Sequence, residues 1–208
     1  MSADRLREEI ETFSRTATWV DGLVHDLPPE AWDGPGLGQW DMRALVGHTS
    51  RALITVEHYL GRPADIERVT SAAEYYERTG SSPAVDADAV LQRGIEAGEA
   101  LGDDPARMFR TIAERVAQQM LGVSDELIET IVGGMRLSSY LPTRTFELVV
   151  HGLDIADAAR IRRDPPDAAL RRTLGLATEL AVRSGEGSRV LLALTGRMRL
   201  EGDFSVLP

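Results

Sequence analysis

The sequence has no cysteine among its 208 residues. Disulfide bonds, thiolate metal ligands and a cysteine nucleophile are therefore excluded, and a protein of the reducing cytoplasm is the simplest interpretation. A metal ion, if one is bound, must be held by histidine and carboxylate side chains. Because the chain has only four histidines, the search for such a site is short.

Basic residues are also scarce. Lys and Arg number 23 against 33 Asp and Glu, which gives a formal net charge of −10. The averaged electrostatic field repels phosphate backbones and anionic membrane surfaces. We therefore expect neither nucleic acid nor a membrane as a partner.

Long hydrophobic runs are missing as well. Residues 1–11 are highly charged and lack the apolar core of a signal peptide, and no later run approaches the length needed to cross a bilayer. These absences favour a cytoplasmic protein.

The remaining composition is typical of a globular protein, with 43% hydrophobic and 27% charged residues, and the length suits one main domain. Apolar residues recur at three- and four-residue steps, which predicts an all-α fold. Asp41 is the predicted cap of the second helix. The predicted helices cover residues 3–27, Met42–Leu60, Ala87–Ala100 with a continuation over 106–121 after a break, 142–161, and Asp167–Arg183.

The segments between these helices carry weaker patterns. Residues 64–86 are typical of a loop with one short helix, and residues 123–135 of irregular structure or a short extended segment. Residues 188–208 form a predicted packing tail with an extended end. We expect one domain in which residues 1–163 form a helical bundle, and residues 164–208 add a helix and the tail.

The helix predicted over residues 142–161 is apolar on nearly every side but carries one polar stripe. At 100° per residue, the stripe contains Arg144, Glu147, His151 and Asp154. Such a helix is usually buried, and a buried carboxylate or imidazole is costly unless it is paired or bound to a metal. Glu147 and His151 stand four residues apart, so both side chains can reach one ion.

A third ligand would come from another helix, and His48 is the best placed of the other histidines. It lies within the second predicted helix, whereas His25 precedes a Pro-Pro stop and His58 lies near a helix end. Periodicity puts His48 roughly 110° from the centre of the apolar stripe, at its flank, so the fold would have to turn it inward. Two histidines and one glutamate leave positions open for water or substrate, which is typical of catalytic zinc, although other divalent ions also fit.

Spacing alone leaves a second interpretation open. Glu147 and His151 would then form a solvent-facing pair on the helix, with Arg144 and Asp154 as further surface charges. A Glu-x-x-x-His match is frequent by chance, so it does not decide between the two interpretations.

Two motifs resemble those of a known family. The segment GQWDMRALVGH, which ends at His48, resembles the Trp-x6-8-His signature of the DinB-like metal-binding bundles. The segment RTFELVVHGLDIADA, which begins at Arg144, resembles the Arg-Thr-x-Glu-x3-His-Gly-x-Asp-x-Ala pattern of the mycothiol-dependent maleylpyruvate isomerase family. The tail LLALTGR at residues 191–197 is similar to the terminus of many members, so we expect the chain to be full length.

The resemblance implies a DinB-like four-helix bundle, with an extra helix and a short C-terminal tail, in which His48, Glu147 and His151 bind zinc. It also implies chemistry with the thiol of mycothiol, a small actinobacterial thiol, on a small electrophilic substrate. The lack of cysteine suits an external thiol. Asp154 is then a candidate to orient His151, and Arg144 a candidate to hold a substrate carboxylate, although either residue could be structural.

Three functions remain compatible with the sequence. A metal-activated thiolate would give isomerisation of an activated double bond, or S-transfer onto a substrate with a leaving group. The same ion could instead activate water in a metal-dependent hydrolase. A bundle that has lost activity would bind a ligand without catalysis. The protein is expected to be a monomer or a homodimer.

Overall fold

The computed structural model describes residues 2–80, 87–202 and 204–207, and these are mainly helical. A short 3₁₀ turn, Pro29–Ala31, follows the first helix. The helices are α1 (Ser2–His25), α2 (Met42–Leu60), α3 (Ala72–Gly80), α4 (Ala87–Ala100), α5 (Pro105–Gln119), α6 (Leu137–Ala158), α7 (Asp167–Arg183) and α8 (Gly187–Leu194). The strands are β1 (Glu67–Val69), β2 (Leu127–Thr130) and β3 (Gly133–Arg136).

Four helices form a closed bundle around one core. Helices α1 and α2 each pack against both α5 and α6. Each of the four contributes side chains that are almost completely buried, for example Phe13, Leu53, Phe109 and Leu148. This arrangement confirms the predicted all-α bundle. None of the described helices is long and apolar enough to cross a membrane.

The other helices cover the outside of the bundle. Helix α4 packs on α2, helices α3 and α7 pack on α6, and α8 packs on α7. Helices α2 and α4 approach each other closely at Gly47, where an added Cβ would lie 2.1 Å from the backbone nitrogen of Gly98. Glycine is required at this crossing because no side chain fits between the two backbones.

The start of α2 was predicted correctly, and the start of α6 was not. Asp41 caps α2 by accepting a hydrogen bond from the backbone N–H of Ala44 at 2.7 Å. Helix α6 begins five residues before Pro142, which therefore lies inside the helix. The early start depends on Asp125, whose carboxylate accepts hydrogen bonds from the backbone N–H and the hydroxyl of Ser138. Asp125 lies 13 residues before Ser138, which is beyond the reach of the usual capping patterns, so those patterns do not reveal the contact.

A three-stranded sheet occupies two segments whose patterns were weak. Strand β3 pairs in parallel with β1 and antiparallel with β2, in the order β1-β3-β2. The extended alternative for residues 123–135 is thus the correct one, and the short helix expected within residues 64–86 is α3. Strand β1 was not predicted. Residues 81–86 of the predicted loop lie outside the described residues.

The tail differs from its prediction. Residues 188–208 were expected to pack and to end extended, but the apolar run at their start belongs to helix α8. None of the α8 side chains is buried, and Leu191 and Leu194 are largely exposed. The run packs on α7, and Val206 near the end of the tail packs against the core, so the tail contacts the bundle without being buried in it.

Candidate metal centre

Three of the side chains singled out in the sequence meet between α2 and α6. His48, Glu147 and His151 each offer one ligand atom, and these atoms all lie within 4.8 Å of one another. The Nε2 atom of His151 lies 3.3 Å from Oε2 of Glu147. The imidazoles of His48 and His151 meet edge to face, with centroids 4.8 Å apart. No second group of this kind is found among residues 2–80, 87–202 and 204–207.

The two α6 side chains are largely buried. The exposed fraction is 22% for the Glu147 side chain and 15% for that of His151. A solvent-facing pair, the alternative left open by their spacing, would expose much more of both side chains. The burial follows from the sequence of α6, which is apolar on most of its faces and packs against both α1 and α2.

His48 reaches the site from the flank of the α2 apolar stripe. Helix α2 contacts α6 on one side and α4 on another, so more of its circumference is covered than the stripe predicts. Trp40 covers His48, with ring centroids 4.5 Å apart and an angle of 32° between the planes. The Trp40 indole donates a hydrogen bond of 3.0 Å to the carbonyl of Leu91 on α4. A side chain at Gly94 would collide with this ring, so the indole fits only because residue 94 is a glycine.

Each α6 candidate ligand has its second polar atom held by a neighbour. The Nδ1 atom of His151 lies 3.0 Å from Oδ2 of Asp154, and its Nε2 faces Glu147. The phenol of Tyr76 donates a hydrogen bond of 2.5 Å to Oε1 of Glu147. The other carboxylate oxygen, Oε2, is the one directed towards His151. The pattern leaves one donor atom of each side chain facing the centre of the group.

The electrostatic environment sets the protonation of the three groups. Burial and the neighbouring His151 lower the pKa of His48 to about 3, so its ring is neutral, as a metal ligand must be. Burial opposes ionisation of Glu147, yet its hydrogen bond with His151 and the charge of Arg144 lower its pKa to about 2. Burial also disfavours a charged His151, but hydrogen bonds to Asp154 and Glu147 outweigh it and raise its pKa to about 9. A divalent ion binding here would displace that proton.

The residues fit a divalent metal ion. The Nδ1 atom of His48 is buried and has no hydrogen-bond partner among the described residues, which is unusual for a buried polar atom. Two imidazoles and one carboxylate are a donor set that suits zinc and several other first-row ions. Three protein ligands also leave a position for a substrate atom.

Arg144, expected as a substrate contact, lies one turn before Glu147 and is only 9% exposed. Its Nε donates a hydrogen bond of 2.9 Å to Oγ1 of Thr143. Its guanidinium lies over the rings of Tyr75 and Tyr140, at 5.5 and 5.1 Å from their centroids. Within the described part of the chain it forms no ion pair with a carboxylate.

Sequence reasoning missed the role of the tyrosines on α3. Tyr75 and Tyr76 stand in a polar segment, and the sequence there fits a cover over the site and a solvated surface equally well. Both are buried, whereas Arg78 is exposed and pairs with Glu74. The only local signal was the presence of two adjacent aromatic residues in a long connection.

Comparison with known families identifies the chain. Residues 13–156 match the model of the mycothiol maleylpyruvate isomerase N-terminal domain. The chain belongs to this family. No curated protein and no solved structure gives a significant match.

The segment that matches the mycothiol maleylpyruvate isomerase N-terminal domain begins within α1 and ends near the end of α6. It includes His48, Glu147, His151 and the two neighbouring candidates, Arg144 and Asp154. Helices α7 and α8 lie outside it. All five candidate site residues thus fall in the part of the chain that carries the family relationship.

Proposed function

We propose that this protein is a zinc-dependent enzyme that uses the thiol of mycothiol to attack a small electrophile, in an S-transfer or an isomerisation. The observation that carries the proposal is the meeting of His48, Glu147 and His151 within reach of one ion. Membership of a family named for mycothiol and maleylpyruvate supports the choice of thiol and of reaction class.

The three side chains would hold the ion, and their neighbours would orient them. A zinc ion held here with an open position would lower the pKa of a coordinated thiol, so that the thiolate forms near neutral pH. Tyr76 directs one oxygen of Glu147 away from the centre of the group, and Asp154 does the same for Nδ1 of His151. Trp40 shields one face of His48 from water.

The chain itself has no thiol, so a thiol nucleophile must come from the cosubstrate. Attack on an activated double bond forms a carbon–sulfur bond. Rotation about the resulting single bond, followed by elimination of the thiolate, gives the isomer and regenerates the thiol. Attack on a carbon that bears a leaving group breaks the bond to that group and leaves the sulfur attached, which is S-transfer.

Metal analysis tests the first part of the proposal. Protein purified without chelator should contain about one zinc per chain, which is the stoichiometry of a single His₂Glu site. His48→Ala and Glu147→Gln should lose the metal. His58→Ala, which removes an exposed histidine, is the matched control and should keep it. A wild-type protein that takes up no zinc would overturn the enzyme assignment.

A thermal-shift experiment tests the thiol. Mycothiol at millimolar concentration should raise the Tm of the zinc-loaded protein, because a ligand that binds only the folded state stabilises it. The shift should vanish in the Glu147→Gln variant. A zinc-loaded wild-type protein whose Tm ignores mycothiol would contradict thiol chemistry and favour the hydrolase.

A further inference from the structure

Arg144 is a buried charge whose hydrogen-bonding capacity is largely unused. A guanidinium has five N–H donors, and among the described residues only Nε of Arg144 has a hydrogen-bond partner, the hydroxyl of Thr143. The rings of Tyr75 and Tyr140 contact the cation without accepting these donors. Burial of a charge is costly unless the charge is paired. The charge of Arg144 acts on Glu147, but Arg144 forms no ion pair with a carboxylate of the described residues, so its unused donors suit a partner that these residues do not supply.

A second arginine lies on the neighbouring helix. Arg51 follows His48 by three residues on α2, which places both side chains on the same side of that helix. Arg51 is half-buried and makes no hydrogen bond or ion pair with the described residues. Burial and the positive charges of Arg93 and Arg144 lower the pKa of Arg51.

The two arginines lie to one side of the metal position. His48 meets Glu147 and Thr55 meets Tyr140, so α2 and α6 run past each other in opposite directions. Arg144 stands one turn before Glu147 on α6, and Arg51 stands one turn after His48 on α2.

The charges around the site do not balance. With a divalent ion bound, the ion and the two arginines exceed the carboxylates of Glu147 and Asp154 by two positive charges. Helix α4 adds one charge of each sign near Arg51, from Arg93 and Glu96, so the excess remains. The negative charge of one thiolate would neutralise only one of these two excess positive charges.

We propose that Arg51 and Arg144 form an anion subsite beside the metal position, and that this subsite binds a carboxylate of the electrophilic substrate. The inference rests on the proposed function, because the bound carboxylate would present the rest of the substrate to the thiolate. The planar fork of a guanidinium matches the two oxygens of a carboxylate. The two tyrosine rings fix the fork of Arg144 before the substrate arrives, which reduces the ordering needed on binding.

Calorimetric titration of the zinc-loaded protein with saturated, unreactive anions tests the subsite. The probes are succinate, acetate and inorganic phosphate, titrated into wild type and into the variants Arg144→Lys and Arg51→Gln. Arg144→Lys keeps the charge but loses the fork. Arg51→Gln changes a half-buried residue, so it can still test the subsite if Arg144→Lys does not fold. Arg171→Gln, which removes an exposed arginine from α7, is the matched control.

Succinate should bind the wild type, and each site variant should weaken it about tenfold or more, as expected for the loss of a charge-assisted hydrogen bond. Arg171→Gln should bind succinate like the wild type. Zinc loading is measured on the same samples. If zinc binds and both site variants hold succinate as tightly as wild type, the subsite is wrong while the proposed function stands. If the wild type takes up no zinc, the proposed function and the subsite both fail. Tighter binding of phosphate than of succinate would overturn the assignment to a carboxylate.

Discussion

The phenol of Tyr76 donates a hydrogen bond of 2.5 Å to Oε1 of Glu147, while Oε2 of the same carboxylate faces His151 at 3.3 Å. Tyr76 is buried, and it stands on α3, a helix that packs on α6. It therefore acts on the candidate metal centre through the carboxylate, as a positioning residue. Groups that orient metal ligands in this way are strong determinants of metal affinity.

Tyr76→Phe keeps the ring and removes only the hydroxyl. We expect zinc affinity to fall by roughly 10–100-fold, the usual effect of removing a group that orients a ligand. Competition with a chelator of known affinity measures this directly. The matched control is Tyr140→Phe, which removes a buried hydroxyl that is bonded to Thr55 rather than to a candidate ligand. Equal zinc affinities in the two variants would show that Tyr76 has no positioning role.

Asp154 is expected to act on His151 as Tyr76 acts on Glu147. Its carboxylate lies 3.0 Å from Nδ1, so it keeps the proton there and leaves Nε2 free for the ion. Asp154→Ala should weaken zinc binding by roughly 10–100-fold. Asp154→Asn should have a smaller effect, since an amide oxygen can still accept from Nδ1. The same chelator competition gives the order of affinities, and an alanine variant that binds as well as wild type would remove Asp154 from the site.

The helices most visible in the sequence are those with local signals at their ends. Helix α2 begins after the Asp41 cap and α7 follows a Pro-Pro pair, and both were predicted with the bounds that the structure has. Helix α6 was predicted to begin too late, because its first turn is stabilised by Asp125, which lies 13 residues before Ser138 and outside the helix. The small sheet escaped prediction in part because β1 pairs with a strand more than sixty residues later.

The candidate site shows the same difference between features with a local sequence signal and features that depend on contacts between elements. Glu147 and His151 share a helix face, which periodicity shows, and Asp154 belongs to the same stripe. The hydrogen bond from Tyr76 and the proximity of Arg51 to Arg144 depend on how α3 and α2 pack against α6. Packing between helices is set by side chains on both partners, so one helix pattern does not disclose it. His48 illustrates the middle case: its helix was predicted, but its inward orientation required the contacts of α2 on two sides.

The crossing of α2 and α4 gives a prediction about stability. In Gly47→Ala the new Cβ would lie 2.1 Å from the backbone nitrogen of Gly98, so the helices must separate. We expect the free energy of unfolding to fall by about 1–3 kcal/mol or more, as for other overpacked positions. Zinc affinity should fall as well, because the adjacent residue is His48. Urea unfolding and zinc titration provide the two measurements.

Gly175→Ala is the matched control for this crossing. Gly175 also lies within a helix, α7, but apart from the neighbouring backbone of α7 no described atom lies within 4 Å of its added Cβ. The substitution should leave stability unchanged or raise it by up to about 1 kcal/mol, because alanine favours helix over glycine. If Gly47→Ala were tolerated as well as Gly175→Ala, the close approach of α2 and α4 would not be a feature of the folded protein.

Glu9 gives a pH dependence that is separate from the metal centre. This α1 residue is 2% exposed, its Oε1 lies 3.0 Å from Arg172 of α7, and its buried Oε2 has no hydrogen-bond partner in the described structure. Burial raises the pKa of Glu9 above its ordinary value, although Arg172 and Arg5 oppose the shift. The folded protein therefore holds this proton more tightly than the unfolded chain does.

The sign of the effect follows from that difference. Protonation of Glu9 stabilises the fold at acid pH, and this contribution is lost as the pH rises through the raised pKa of the folded state. Glu9→Gln resembles the protonated form at every pH. We therefore expect the variant to be more stable than wild type at neutral pH and the difference to shrink as the pH falls towards 4. Urea unfolding between neutral pH and pH 4 measures the difference in free energy of unfolding between Glu9→Gln and wild type. The exposed residue Glu11 provides the control variant, Glu11→Gln. A constant difference between Glu9→Gln and wild type across the range would mean that Glu9 does not carry a raised pKa, and that its pair with Arg172 compensates fully for its burial.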